Sequence, residues 1–384
     1  MKQRRIKAAF IRGGTSKGVF FRAGDLPDDV AQRNAVLLRA LGSPDPYGRQ
    51  LDGLGGGLSS LSKAVIIGRS ARADADIDYT FAQVSVNEPF VDYAGTCGNL
   101  SSATGPFAVD EGLVEVGTGE AVVRVFNTNT SKIFHARFDV EDGEACVEGE
   151  QRIPGVGQAG ARVALEFLSP GGSMTRGLLP TGHCIDDIKT AEGERFSVSL
   201  VDAANPIVMV DGADVGIDGT EQPDALEVMP ELLARLERIR QAAGIAMGLD
   251  DADQGVPQAV PKIAVVVAPR SFRDIQGDDV DAGAVDVCVR AVSMGRIHRA
   301  LPLTLAMCVA AACRIEETVP AKQLNRALAD GADVRIGNPS GVIAAGADVV
   351  ANGNGWDVER CRVIRTQRRL MEGSVLVPAN VNGE

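Results

Sequence analysis

The order of apolar and polar positions divides the chain into many short β segments and a few helices. Alternating or continuous β-branched stretches predict strands at Ile6–Ile11, Val19–Arg22, Ala64–Gly68, Ile77–Val86, Ala121–Phe126, Lys132–Val140, Arg162–Phe167, Phe196–Val201, Ile207–Val210, Lys262–Ala268 and Cys361–Thr366. A 3.6-residue apolar period predicts helices over Pro27–Leu41 and Asp224–Gly248. Two further stretches, Gly98–Val114 and Met294–Cys313, are small or apolar over most of their circumference, which predicts helices surrounded by protein. Two β-rich halves, each with one buried helix, suggest a duplication, with the halves divided near Gly182–Lys189 and the domains set at 1–185 and 186–384. The C-terminal segment has the option of returning to the first half.

Length supports that division, because 384 residues exceed what one hydrophobic core usually serves. No apolar run is long enough to cross a bilayer, and the stretch Ala300–Ala312 reads as a buried helix. With no secretory signal at Met1–Arg5, a cytoplasmic location is expected. The net charge of −12 argues against a nucleic-acid surface and requires any anionic ligand to find a locally basic pocket. Seven scattered cysteines, without a C-x-x-C pair or a histidine at ligand spacing, predict reduced thiols and no metal site.

Three segments carry candidate chemistry. Arg12-Gly13-Gly14-Thr15-Ser16-Lys17-Gly18 offers N–H groups, hydroxyls and two cations between strands, either as a carboxylate cradle or as a plain glycine turn; it lacks P-loop spacing. Lys63 precedes an apolar strand and is either a solvated strand-end charge or a buried base. Cys97 stands at the start of the first buried helix, where the helix dipole favours a thiolate; its alternative is a small buried hydrophobe, the reading given to the other six cysteines. In the second half, Ser293-Met294-Gly295-Arg296 with His298 and Arg299 is read as an anion-binding helix start, and Asn338-Pro339-Ser340-Gly341 as a turn.

Taken in order, Arg12–Gly18, Gly42–Gly48, Leu61-Ser62-Lys63, Cys97-Gly98-Asn99, Pro180-Thr181-Gly182, Ser293–Arg296 and Pro339-Ser340-Gly341 resemble the methylaconitate isomerase (PrpF) family over nearly the whole chain. The resemblance implies an α+β, diaminopimelate-epimerase-like fold. In that fold two similar lobes each wrap a barrel-like, mostly antiparallel sheet round a central helix, near 98–114 and 294–313 here, with the active site in the cleft between lobes. It further implies a cofactor-independent isomerase of an unsaturated tricarboxylate, with 2-methylaconitate cis-trans isomerisation favoured. The alternatives are allylic isomerisation of 4-oxalomesaconate or 3-methylitaconate, and a non-catalytic carboxylate-binding protein. No metal, nucleic-acid or membrane partner is implied, and a homodimer is compatible with the reading.

Carried over motif by motif, Lys63 and Cys97 become the acid/base pair. Arg12, Gly14, Thr15, Ser16, Lys17, Gly98, Asn99, Met294, Gly295, Arg296, His298, Asn338, Ser340 and Gly341 become substrate ligands. Two departures from the pattern stand out. Met294 occupies the place where the two-thiol epimerases of this fold carry a second cysteine, which argues against a two-thiol racemase. Asn338 stands where relatives often have histidine.

Overall fold

The computed structural model describes residues 3–379 apart from 94, 251–254, 259, 294 and 354, and the side chain of Ser293 is likewise not described. Two compact units are resolved: residues 1–166 with 364–384, and residues 167–363. The division falls at Glu166/Phe167, ahead of the Gly182–Lys189 segment where the sequence suggests it, and the C-terminal strand Gln367–Pro378 pairs with Gln3–Gly13 in the first unit.

The first unit is built from β1 (Gln3–Gly13), β2 (Ser16–Arg22), α1 (Val30–Leu41), β3 (Lys63–Arg69), β4 (Ile77–Val84), α2 (Gly98–Ser101), α3 (Thr104–Asp110), β5 (Gly119–Asn127) and β6 (Lys132–Glu141). Successive ladders run antiparallel, parallel, antiparallel, parallel and antiparallel. One face of this sheet carries Ile6, Ala8, Val19, Phe21, Ala64, Ile66, Ala82 and Val84, packed on Val36, Leu37, Ala40 and Leu41 of α1. Because side chains alternate along a strand, the other face carries Ala9, Ile11, Phe20, Lys63, Val65, Tyr79, Phe81 and Gln83. That second face is covered by α2 and α3, with the Phe20 and Phe107 ring centroids 5.5 Å apart. The Asp29 carboxylate caps α1 by accepting from Gln32 N–H, and Gly42 at φ 74° ends it. Truncating Leu37, which is fully buried, to alanine costs about 2–5 kcal/mol on the usual scale for such cavities.

The second unit repeats the scheme with β7 (Arg195–Asp202), β8 (Pro206–Asp211), α4 (Pro223–Glu227), α5 (Pro230–Ala246), β9 (Lys262–Val267), β10 (Val287–Ser293), α6 (Leu303–Ala312), β11 (Val334–Asn338) and β12 (Gly341–Asn352). Its ladders follow the same order of directions. A helix again joins the second strand to the third, and another joins the fourth to the fifth. The duplication that the sequence only suggested is therefore written in the strand pairing.

The central helices differ from expectation. Instead of one helix over 98–114, α2 and α3 are separated at Ser102–Ala103, because Pro106 has no N–H for the Ser102 carbonyl and its ring crowds that carbonyl. In the second unit, Gly295 (φ 71°) lies in a tight hairpin between β10 and the short strand Arg296–Ile297, with Ser293 paired to Arg296. The helix starts only at Leu303, after Pro302 has forced an extended backbone on its predecessor. Pro230 likewise divides the helix expected over 224–248 into α4 and α5. Among the described ladders the antiparallel ones outnumber the parallel ones in both units, with two parallel ladders in each, in line with the mostly antiparallel sheets expected. Among the described residues no helix is long and apolar enough to cross a membrane. Of the acidic stretch at 250–258, residues 251–254 lie outside the described residues.

Candidate functional site

Lys63 opens β3 on the face covered by α2, and it is only 8% exposed. Its Nζ donates to Gln83 Oε1 at 2.5 Å and lies 4.8 Å from the centre of the Phe81 ring. Gln83 is itself fixed, since its Nε2 donates to the carbonyls of Ser62 (2.9 Å) and Ser59 (3.1 Å), leaving Oε1 for the ammonium. The ammonium therefore rests on a neutral amide and an aromatic face.

Cys97 is the residue immediately before α2 and is buried on the same face of the sheet. Its carbonyl accepts from Ser101 N–H (3.0 Å), Ser101 Oγ (3.1 Å) and the Tyr79 hydroxyl (3.3 Å). Burial, followed by the nearness of Cys97, pushes the Tyr79 phenol up, so it remains a donor. Cys97 Sγ stands 4.0 Å from Ser16 Oγ. The dipole argument weakens here, because α2 is a single turn rather than the long helix expected.

The glycine-rich cradle is divided between the two faces of the sheet. Ser16, paired with Gly13, faces α2, whereas Arg12 and Lys17, paired with each other, face the opposite way. Arg12 Nη1 donates to Gly14 O (3.0 Å), Thr366 O (3.1 Å) and Thr366 Oγ1 (3.1 Å), while Lys17 Nζ lies over Phe10 at 5.4 Å. Burial and then the charge of Arg368 hold the Arg12 guanidinium below its ordinary range. Arg12 and Arg368 instead border a separate hollow of about 700 Å³ with Glu148 and Gln158. Another hollow, of about 440 Å³ beside Asp45 and Tyr47, holds none of the candidate residues.

Asn99 ties the loop to the helix turn. Its Nδ2 donates to Thr15 Oγ1 (3.1 Å) and its Oδ1 accepts from Arg365 Nε (3.2 Å). Gly14, at φ 53°, sits so close that a Cβ there would lie 2.3 Å from Asn99 Oδ1. Gly98 is the first residue of α2, where a backbone N–H has no partner within the helix. Arg365, which the strand pattern of Cys361–Thr366 does not single out, is buried and pushed down to about 10 by that burial. The one signal for it was a charge on the inward phase of an apolar alternation.

In the second unit the expected anion-binding helix start is absent, since Ser293–Arg296 is a hairpin, and Met294 lies outside the described residues. Gly295 and Arg296 are exposed, and Arg299 pairs with Asp224. Asn338 is turned onto its own loop: Oδ1 accepts from Ser340 N–H (3.1 Å) and Leu301 N–H (3.4 Å), and Nδ2 donates to Gly341 O (3.0 Å). Ser340 Oγ donates to Arg299 O (2.7 Å). Both side chains brace the turn, which Gly341 closes at φ 104°. His298 is largely buried, its Nε2 has no partner among the described residues, and burial with the neighbouring Lys262 pushes it down to about 4. Lys262 was read from the sequence only as the start of a strand; here its Nζ donates to Asn205 Oδ1 at 3.4 Å, and burial lowers its pKa.

All seven cysteines are free. Cys288, Cys308, Cys313 and Cys361 fit the buried reading, with burial holding the Cys361 thiol up at about 12, whereas Cys146 and Cys184 are partly exposed.

Comparison with known proteins bears on the chemistry. The family model described as PrpF protein matches residues 3–378. A relative named 3-methylitaconate isomerase, from Eubacterium barkeri, is 41% identical over 379 residues, covering 98% of each chain. Another, named 2-methyl-aconitate isomerase, from Shewanella oneidensis, is 39% identical over 398 residues, again covering 98% of each. A solved structure titled methylitaconate-delta-isomerase superposes with a TM-score of 0.89 at 39% identity, covering 100% of this chain and 98% of that one. Agreement of sequence and fold from end to end leaves one assignment: the chain belongs to the PrpF family and is an isomerase.

Proposed function

We propose that this isomerase moves a proton on an unsaturated polycarboxylate, with Lys63 as the base, Cys97 as the group that returns the proton, and 2-methylaconitate as substrate. The observation that carries the reading is the burial of an ammonium and a thiol on one face of one sheet, the ammonium bonded to Gln83 Oε1 and the thiol 4.0 Å from Ser16 Oγ. A proton on carbon next to a conjugated alkene is acidic only if the resulting enolate is stabilised. Donors aimed at the carboxylate that receives this charge contribute several kcal/mol. Ser16 Oγ and the first N–H groups of α2 at Gly98 and Asn99 are suited to that role. Arg12 and Lys17, on the opposite face, are not assigned to it.

In the proposed cycle the base removes the proton, the former double bond gains single-bond character and rotates, and reprotonation at the same carbon fixes the other geometry. Reprotonation at the far end of the delocalised system yields an allylic shift instead. This second outcome, on 3-methylitaconate, is favoured by the relative of that name at 41% identity. A purely binding role has less support, because recognition of carboxylates needs no buried thiol on the same face of the sheet as the ammonium.

Incubating the protein with each acid in heavy water and following proton spectra tests the reading. Deuterium entering 2-methylaconitate with cis-trans exchange supports it. Deuterium and migration in 3-methylitaconate alone supports the second outcome, and inertness toward both overturns the proton-transfer mechanism on these acids.

A further inference from the structure

We propose that Lys262, with Asn205 and His298, forms a carboxylate-binding site in the second unit, at the position that corresponds to Lys63 in the first. The inference rests on the isomerase reading only for the identity of the ligand.

The internal repeat makes the correspondence specific. Lys63 is the first residue of the third strand of its unit, in a strand parallel to the second and antiparallel to the fourth. Lys262 is the first residue of the third strand of the other unit, with the same two directions of pairing. The faces also agree. Ala64 and Ile66 pack toward α1, leaving Lys63 on the face of the central helices. Ile263 and Val265 pack with Leu232, Leu236 and Ile239 of α5, the counterpart of α1, which leaves Lys262 on the face of the other central helix.

The chemistry of the surroundings suits an anion. Lysine is seldom withdrawn from water without a purpose, since its ammonium loses hydration. Lys262 Nζ meets the neutral amide oxygen of Asn205 at 3.4 Å, a long hydrogen bond that an incoming carboxylate can readily replace or share. Beside it, His298 is neutral at ordinary pH, and its Nε2 finds no protein partner among the described residues. An ammonium, an amide and an unengaged imidazole together offer one charge and neutral hydrogen-bonding groups to a carboxylate.

The probe is propane-1,2,3-tricarboxylate, a saturated acid that cannot be isomerised, titrated calorimetrically into the full-length protein at low salt. Lys262→Met is expected to weaken binding about 10- to 100-fold, and Lys262→Arg to recover most of it. Unchanged affinity in Lys262→Met, or no binding by the wild type, overturns the proposal. Acylation of the wild type, read by mass spectrometry, keeps the test open if the variant does not fold: slower labelling of Lys262 in the presence of the acid supports the site, and equal labelling overturns it. Neither readout needs turnover, so a wild type that binds through Lys262 yet isomerises nothing overturns the proposed reaction alone.

Discussion

Lys63 Nζ and Gln83 Oε1 stand 2.5 Å apart as cross-strand partners, and the Gln83 amide cannot turn over without giving up its two bonds to Ser59 and Ser62. Gln83 is therefore a positioning residue for the proposed base. Gln83→Leu should lower kcat about 10- to 100-fold with KM little changed, because a displacement of about 1 Å at a reacting group has effects of that size. Gln83→Glu would set a carboxylate against the ammonium and favour its charged form. The ascending limb of the rate–pH profile should then move to higher pH. A profile unchanged in position, with full activity in both variants, would remove Gln83 from the mechanism.

Cys97 supplies the second prediction. Cys97→Ser keeps the size of the side chain but replaces a readily exchanging thiol by a hydroxyl, and loss of a positioned proton donor is worth roughly 10²–10⁴ in rate. Turnover should fall by that amount, while Lys63→Ala should also stop solvent deuterium from entering substrate. If Lys63→Ala keeps normal turnover and Cys97→Ser abolishes exchange, the two roles are reversed. Tyr79→Phe, which removes the donor to the Cys97 carbonyl, should cost less, about 1 kcal/mol of stability, read by denaturant titration.

Much of this arrangement was legible in the chain and some was not, for reasons that can be named. The end of α1 follows from Gly42 and most strands of the first unit from alternation, because these are local signals, whereas α1 starts at Val30 behind the Asp29 cap and not at Pro27. Lys63 and Cys97 could be picked out because each stands at the start of an apolar segment, Lys63 before a strand and Cys97 before a helix. The split of the Arg12–Lys17 cradle was hidden by treating it as a loop: once β1 and β2 are seen to continue to Gly13 and from Ser16, alternation alone sends Arg12 and Lys17 away from Ser16. Ser293–Arg296 reads as a helix start although its glycine serves a hairpin equally well, and Pro302 is the better marker. Lys262 looked ordinary, since its correspondence to Lys63 lies in strand pairing, which no residue pattern in the two halves reveals.

Glycine at position 18 gives a prediction that separates packing from chemistry. A Cβ there would lie 2.7 Å from the Lys63 carbonyl and 3.2 Å from Leu100 Cδ1, so Gly18→Ala must push β3 away from β2 or lift α2. The expected cost is about 1–3 kcal/mol of stability, as for other overpacked sites. Activity should fall further than the folded fraction does, because the displaced segments carry Lys63 and Cys97. Unfolding curves and kcat measured on the same preparation distinguish the two effects.

His298 sets the last prediction, a pH dependence of stability. Burial, with the charge of Lys262, depresses its pKa to about 4, against about 6.5 for an unperturbed imidazole. Between those values the unfolded chain binds a proton that the folded chain refuses, so stability rises with pH across that interval and falls on acidification. The contribution is fully present above about pH 6.5 and is lost as pH drops toward 4. His135, also lowered, chiefly by burial, adds to the same window, whereas Asp286, which its hydrogen bonds to Arg335 and Arg326 hold low against the opposing effect of burial, acts at lower pH. Thermal unfolding from pH 7 to pH 5 should therefore show a falling Tm in the wild type and a shallower fall in His298→Gln. Parallel curves for the two proteins would mean that the imidazole takes up its proton in the folded state as readily as in the unfolded one.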